Sequence, residues 1–207
     1  MKSFVTPAQR TAIADAIRAT ETRTRGELVA VIAGSAGHYT LFPLLYAALL
    51  ALLTPLALSF IAHGLSAEYA YALQLGVFAS AAMLLSWQPL KVRIVPARIQ
   101  IAHARRLARE QFFARKMHHT RERSGIMIFV SVAERYVEII ADQGINDQVA
   151  AGTWDGIVRD LIAAVQRGEN GAGMVAAINA CAGILAQHLP VRADDKNELA
   201  NELIELP

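Results

Sequence analysis

The sequence predicts an α/β protein in which a small sheet, covered by helices on both faces, is interrupted by a two-helix transmembrane hairpin. Three observations carry that prediction. Two runs, 41–62 and 69–90, contain no charged side chain over 22 residues each. Short apolar runs rich in β-branched residues, the mark of strands, lie at 28–33 before those runs and at 125–132 and 136–141 after them. Apolar residues at helical spacing fill the stretches flanking the strands. A strand buried on both faces needs partners, so residues on the two sides of the hairpin fold together. The boundaries are 1–37 for the first part of the domain, 38–91 for the hairpin, and 92–207 for a basic helix and the remainder of the domain.

At 1.5 Å rise per residue, 22 residues make a helix of roughly 33 Å, enough to cross the ~30 Å hydrocarbon core of a bilayer. Only His63-Gly64-Leu65-Ser66-Ala67-Glu68 separates the two runs. The competing reading is a buried helix pair in a soluble bundle, but a soluble helix needs a polar face at the 3.6 period. The first run has leucines on all sides, among them Leu44, Leu45, Leu49, Leu52, Leu53 and Leu56. Each favours insertion by roughly 0.3 to 0.6 kcal/mol near the helix centre, whereas one central Lys or Asp would cost about 3 kcal/mol. Pro43 and Pro55 are tolerated in such helices when neighbours satisfy the freed carbonyls. Tyr69 and Trp87 stand at the ends of the second run as interface aromatics.

The 207 residues are 54% hydrophobic with a formal charge of only +2. Without the hairpin about 160 residues remain, enough for one domain with a core. The near-neutral total hides an asymmetry: Lys91, Arg93, Arg98, Arg105 and Arg106 follow the second run, Arg23 and Arg25 precede the first, and the connecting loop has no Lys or Arg. The positive-inside rule places both flanks in the cytoplasm. A single cysteine, Cys181, excludes an internal disulfide and reads as a small core residue of an apolar helix. Residues 1–37 carry charges throughout and lack an apolar h-region, so no cleavable signal is expected there.

In chain order, Thr6-Pro7-Ala8-Gln9 predicts a capped helix start, and Ala12, Ile13, Ala16 and Ile17 a buried face, with an end near Thr22. A basic helix is expected over 97–117. Ala133-Glu134-Arg135 predicts a tight turn joining the strands 125–132 and 136–141 into an antiparallel hairpin. Trp154, Ile157, Val158, Leu161, Ile162 and Val165 predict a helix with Thr153 as cap and Gly168 as stop. Met174, Val175, Ile178, Cys181, Ala182 and Leu185 predict another, ending before Pro190. The tail carries Asp194 and Asp195 and closes on a short apolar ending.

These residues resemble the TPM domain family, named for a thylakoid-lumen phosphatase-like protein, a photosystem II repair protein and a nematode acetylcholine-receptor accessory protein. The resemblance rests on Ser124-Gly125-Ile126-Met127-Ile128-Phe129-Val130-Ser131, on Glu134-Arg135 before Val137-Glu138-Ile139, on Asp142, Gly144-Ile145, Trp154, Gly168 and Asn197-Glu198-Leu199. At the front, Glu21-Thr22-Arg23-Thr24-Arg25-Gly26-Glu27 is similar to the family's entry into its first strand. It implies an α/β/α sandwich. The hairpin inside the domain departs from better-known members, which carry a signal peptide or a terminal anchor. The expected place is therefore the inner (cytoplasmic) membrane of a bacterium, as a multi-pass protein with both termini cytoplasmic.

The resemblance implies two functions: an accessory or assembly module for membrane proteins, or a divalent-metal-dependent acid phosphatase-like hydrolase. The second, with calcium or another divalent cation as cofactor, would need an acidic cluster. Asp142 is the first candidate, at a strand end where open α/β sheets often bind ligands. Glu27 and Glu21 flank the first strand, and Asn146 and Asp147 could add oxygens to the six to eight that calcium takes. Against this, Asp142 and Asn146 also read as turn and cap residues, and Glu21 and Glu27 as solvated strand flanks. Arg98, Arg105, Arg106 and Arg109 read either as a solvated helix face or as contacts to anionic lipid headgroups, each worth about 1 kcal/mol. The expected partners are the lipid bilayer and another membrane protein, with no nucleic acid, since basic charge stands alone without aromatic interleaving. His118 and His119 are adjacent and point to different faces, and the glycines Gly168, Gly171 and Gly173 lack the preceding strand of a phosphate loop.

Overall fold

Thr6 opens the first helix by exchanging hydrogen bonds with Gln9. In the computed structural model, which describes residues 4–61, 66–120, 122–191 and 203–207, Thr6 Oγ1 accepts from Gln9 N at 3.3 Å and Gln9 Oε1 accepts from Thr6 N at 2.8 Å. This reciprocal box, with Pro7 in the first turn, starts α1 (Pro7–Glu21). Ile13 and Ile17 are fully buried as the period requires. Ala12 is exposed instead, and Thr20 completes the buried face by donating to Ala16 O at 3.0 Å.

The elements that follow are β1 (Leu28–Ala33), α2 (Leu41–Ile61), α3 (Ala67–Leu85), α4 (Gln88–Arg93), α5 (Ala97–Ala114), a 3-10 turn at Met117–His119, β2 (Ile126–Ser131), β3 (Tyr136–Ala141), α6 (Gln143–Asn146), α7 (Thr153–Gln166), α8 (Asn170–His188) and β4 (Leu203–Leu206). They divide into two compact units: Met1–Ala36 with Ile101–Pro207, and Gly37–Gln100.

In the first unit the strand order is β3-β2-β1-β4. β1 runs parallel to both β2 and β4, and β2 pairs antiparallel with β3. Strand alternation sorts the core into two layers. Leu28, Ala30, Ile32, Ile126, Ile128 and Val130 pack with Ile13 and Ile17 of α1, Leu161 of α7, and Met174, Ile178 and Cys181 of α8. On the other face Val29, Val31, Met127 and Phe129 meet Ala108 and Phe112 of α5 and Met117. Helices therefore cover both faces, as the fold class requires. The turn between β2 and β3 bends at Arg135, whose φ is +52°.

α7 begins one residue earlier than its expected cap implies. Gly152, at φ +82°, is the N-cap, and the Thr153 hydroxyl bonds back to Ala150 O at 2.7 Å. Its end is the expected one: Gly168 adopts φ +80°, and Gly168 N and Glu169 N donate to Val165 O and Ala164 O, closing the helix with a Schellman motif. The strand β4 departs from expectation, because the short apolar ending lines up along β1. Four residues interrupted by Glu205 are too few to register as a strand by pattern. The tail residues Asp194, Asp195 and Asn197-Glu198-Leu199 lie outside the described residues.

In the second unit α2 and α3 pack along each other, with Ala47 and Ala51 buried. The second apolar run is not one helix to residue 90. α3 starts at Ala67, with Glu68 in its first turn, and stops at Leu85; the chain turns through Ser86 and Trp87 and restarts as α4. Pro89 has no N–H to give the Leu85 carbonyl, which is where an unbroken helix would need it. The 19 residues of α3 still span roughly 28 Å. Gln100 Nε2 closes α4 by donating to Val92 O at 2.7 Å and Val95 O at 2.9 Å. Of the loop between the spans, His63-Gly64-Leu65 lie outside the described residues.

Candidate functional site

Pairing brings residues distant in sequence to one end of the sheet. Ile126 N donates to Glu27 O at 2.8 Å and Asp142 N to Gly125 O at 2.9 Å, so Glu27, Gly125 and Asp142 form one row across three strands. With strands ~4.8 Å apart, the outer two backbones are separated by roughly 10 Å. Glu27 and Asp142 are both buried, each 6% exposed. Asp142 caps α6: its Oδ1 accepts from Gln143 N at 2.7 Å and from Arg123 Nη2 at 3.2 Å. Its Oδ2 is buried without a hydrogen-bond partner among the described residues. Arg123, at φ +53°, also reaches Gln143 Oε1 at 3.0 Å, and beside it Arg25 pairs with Glu122 at 2.7 Å. The loop closes so tightly on α6 that a Cβ at Gly144 would stand 2.1 Å from Glu122 O.

The expectation for Asp142 rests on ligand binding at strand ends. Asp142 follows the last residue of β3, but β3 runs against β2 and β1, so the residue lies at the amino ends of β1 and β2. The rule concerns the carboxyl ends of parallel strands and lends Asp142 no weight. Glu21 is exposed on the last residue of α1. Asn146 and Asp147 are exposed at the end of α6, where Asn146 Oδ1 accepts from Trp154 Nε1 at 3.1 Å. Among the described residues no three His, Cys, Asp or Glu side chains gather closely enough to hold one metal ion. Of the candidate ligands, Asp142 and Glu27 are buried in one row, whereas Glu21, Asn146 and Asp147 are exposed.

At the opposite end of the sheet a different acid is engaged. Glu134 is 7% exposed, and its Oε1 accepts from Ser35 Oγ and Ala36 N, both at 3.0 Å. Its Oε2 accepts from Ser131 Oγ and, at 3.1 Å, from Ala36 N. The carboxylate thus fastens the chain leaving β1 to the turn between β2 and β3. Sequence pattern assigns Glu134-Arg135 to the turn alone; the signal for the further role is an acid three residues after Ser131, the one polar residue of β2.

Arg98, Arg105, Arg106 and Arg109 are all exposed on α5. At about 100° per residue they fall within one arc of about 100°. Arg105 Nε donates to Tyr136 Oη at 3.1 Å and Arg106 Nε to Glu110 Oε1 at 2.7 Å. Those bonds raise both guanidinium pKa values further, and burial raises that of the Tyr136 phenol against the pull of Arg105. The exposed ring of Phe113 falls in the same arc.

These features define a mixed α/β domain whose buried carboxylates brace loops and turns. Residues 90–184 match the family profile of the TPM domain. The NMR structure of BA42 protein from the psychrophilic bacterium Bizionia argentinensis is similar to this chain with a TM-score of 0.62 and 20% sequence identity, over 99% of this chain and 97% of that one. At that identity the likeness speaks for the fold alone. Among curated proteins none matches the chain.

Proposed function

We propose that this chain is an integral membrane protein of the bacterial inner membrane, whose cytoplasmic TPM domain is an accessory or assembly module binding another membrane protein. One observation carries the reading: the surface of the two apolar helices. The most apolar stretch of α2 is 17% buried and that of α3 is 0% buried, whereas the core helix of a soluble protein would be mostly covered. Leu52, Phe60 and Met83 are each more than two-thirds exposed. Apolar area left in water forgoes roughly 25 cal/mol per Å², and a bilayer removes that penalty. The arginine arc of α5 follows the hairpin closely in sequence, in keeping with contact to anionic headgroups. The buried acid Glu134 spends both carboxylate oxygens on the fold, which favours a structural role for it over catalysis.

Washing membranes of expressing cells with alkaline carbonate should leave the chain in the pellet. Photocrosslinkers at the exposed positions Arg159 and Gln187 should trap a recurring second protein. Release into the supernatant overturns the membrane anchor. Retention with no recurring adduct at any surface position tried overturns the accessory role.

A further inference from the structure

A central, fully buried strand of the domain, β1, has its outer side closed by Leu203–Leu206. All six residues of β1 are at most 4% exposed, and its outer edge is paired by β4. The register sets Ala30 opposite Leu203, Val31 opposite Ile204, Ile32 opposite Glu205 and Ala33 opposite Leu206, and Gly34 N donates to Leu206 O at 2.9 Å. Ile204 enters the core layer beneath α5, and Leu203 packs against the opposite layer. Glu205 meets Arg10 of α1 in a two-pronged bond, Nε to Oε1 at 3.1 Å and Nη2 to Oε2 at 2.5 Å. The edge is thus a slot that reads an extended segment in parallel register: apolar, apolar, acidic, apolar. Bare, it would present unpaired N–H and C=O groups.

We propose that β4 is an exchangeable strand, and that the β1 edge accepts Leu203–Leu206 of a second copy of this chain, giving a reciprocal dimer. The segment whose fit is on display is carried by every copy. Residues 192–202 join it to Val191 and, by length alone, reach at most ~40 Å. A unit of this size has a radius of gyration of about 15 Å, so a neighbour's slot lies within that reach. The contacts made in trans equal those made in cis, which leaves association entropy as the main opposing factor. The proposal stands apart from the membrane reading, since all its contacts lie within one compact unit.

Two charge variants of the full chain in detergent test it. Arg10→Glu places two carboxylates at this contact in cis, and Glu205→Arg places two guanidinium groups there. In the mixture only exchanged tails set a carboxylate against a guanidinium, and they do so at both slots of the dimer. Labelled with donor and acceptor dyes, the 1:1 mixture should associate roughly tenfold more tightly than either variant alone. A chain carrying both changes restores the pair in cis and should lose that preference. An excess of two synthetic peptides of residues 202–207, one native and one with Glu205→Arg, should fill both slots and dissolve the heterodimer. Equal association in mixture and single variants overturns exchange, and a heterodimer that survives the peptides places the contact elsewhere. Association through the hairpins would be the same in every sample and produces neither pattern.

Discussion

Cys181 lies fully buried in α8, and that burial pushes its thiol up to about 12 from an ordinary 9.0. Below pH 9 the folded and unfolded chains both hold the proton, so the thiol adds no pH dependence. Above it the unfolded chain releases a proton that the folded chain keeps, and stability falls as pH rises toward 12, with a limiting slope of about 1.4 kcal/mol per pH unit. The urea midpoint should therefore drop more steeply between about pH 9 and about pH 11 in the native chain than in Cys181→Ala. Equal slopes would assign the alkaline loss to other groups. The residue's burial was legible from its place in an apolar helical period. The roles of Glu134 and Asp142 were not, because a sequence names an acid without naming the donors that pairing brings to it.

Glu134 also joins elements: it ties the chain leaving β1 to the β2–β3 turn through Ser35, Ala36 and Ser131. Glu134→Ala strands two hydroxyls and a backbone N–H and should cost about 2–4 kcal/mol, read as a lower urea midpoint of the domain. Glu134→Gln keeps one acceptor oxygen and should fall between. An unchanged midpoint in the alanine variant would mean that water replaces the carboxylate at no loss. β1, β2, β3, α1, α7 and α8 were readable because burial on one or both faces writes a period into the residues. β4 was not, since an edge strand of four residues borrows its order from its neighbour. The break after Leu85 was missed because an apolar, charge-free run continues through it, and composition does not record where a helix stops.

At the scale of the whole molecule, the split domain followed from a single requirement, that a strand apolar on both faces must have partners, and β1 does take one from beyond the hairpin. The proposed membrane topology, with both flanks cytoplasmic, is open to a direct test. An alkaline phosphatase reporter inserted at Ser66 should be active and one fused after Pro207 silent; the opposite pattern inverts the topology.

The parallel pairing of β1 with β2 also governs the order of events at the ribosome. Leu28–Ala33 is synthesised long before Ile126–Ser131, and everything in between, both greasy helices included, must leave the exit tunnel first. Closing a gap of that length costs about 4 kcal/mol in chain entropy before any contact repays it. A nascent six-residue segment of Leu, Val, Ala and Ile therefore waits without its mate while the apolar helices are made, and the globule can be completed only from its second half.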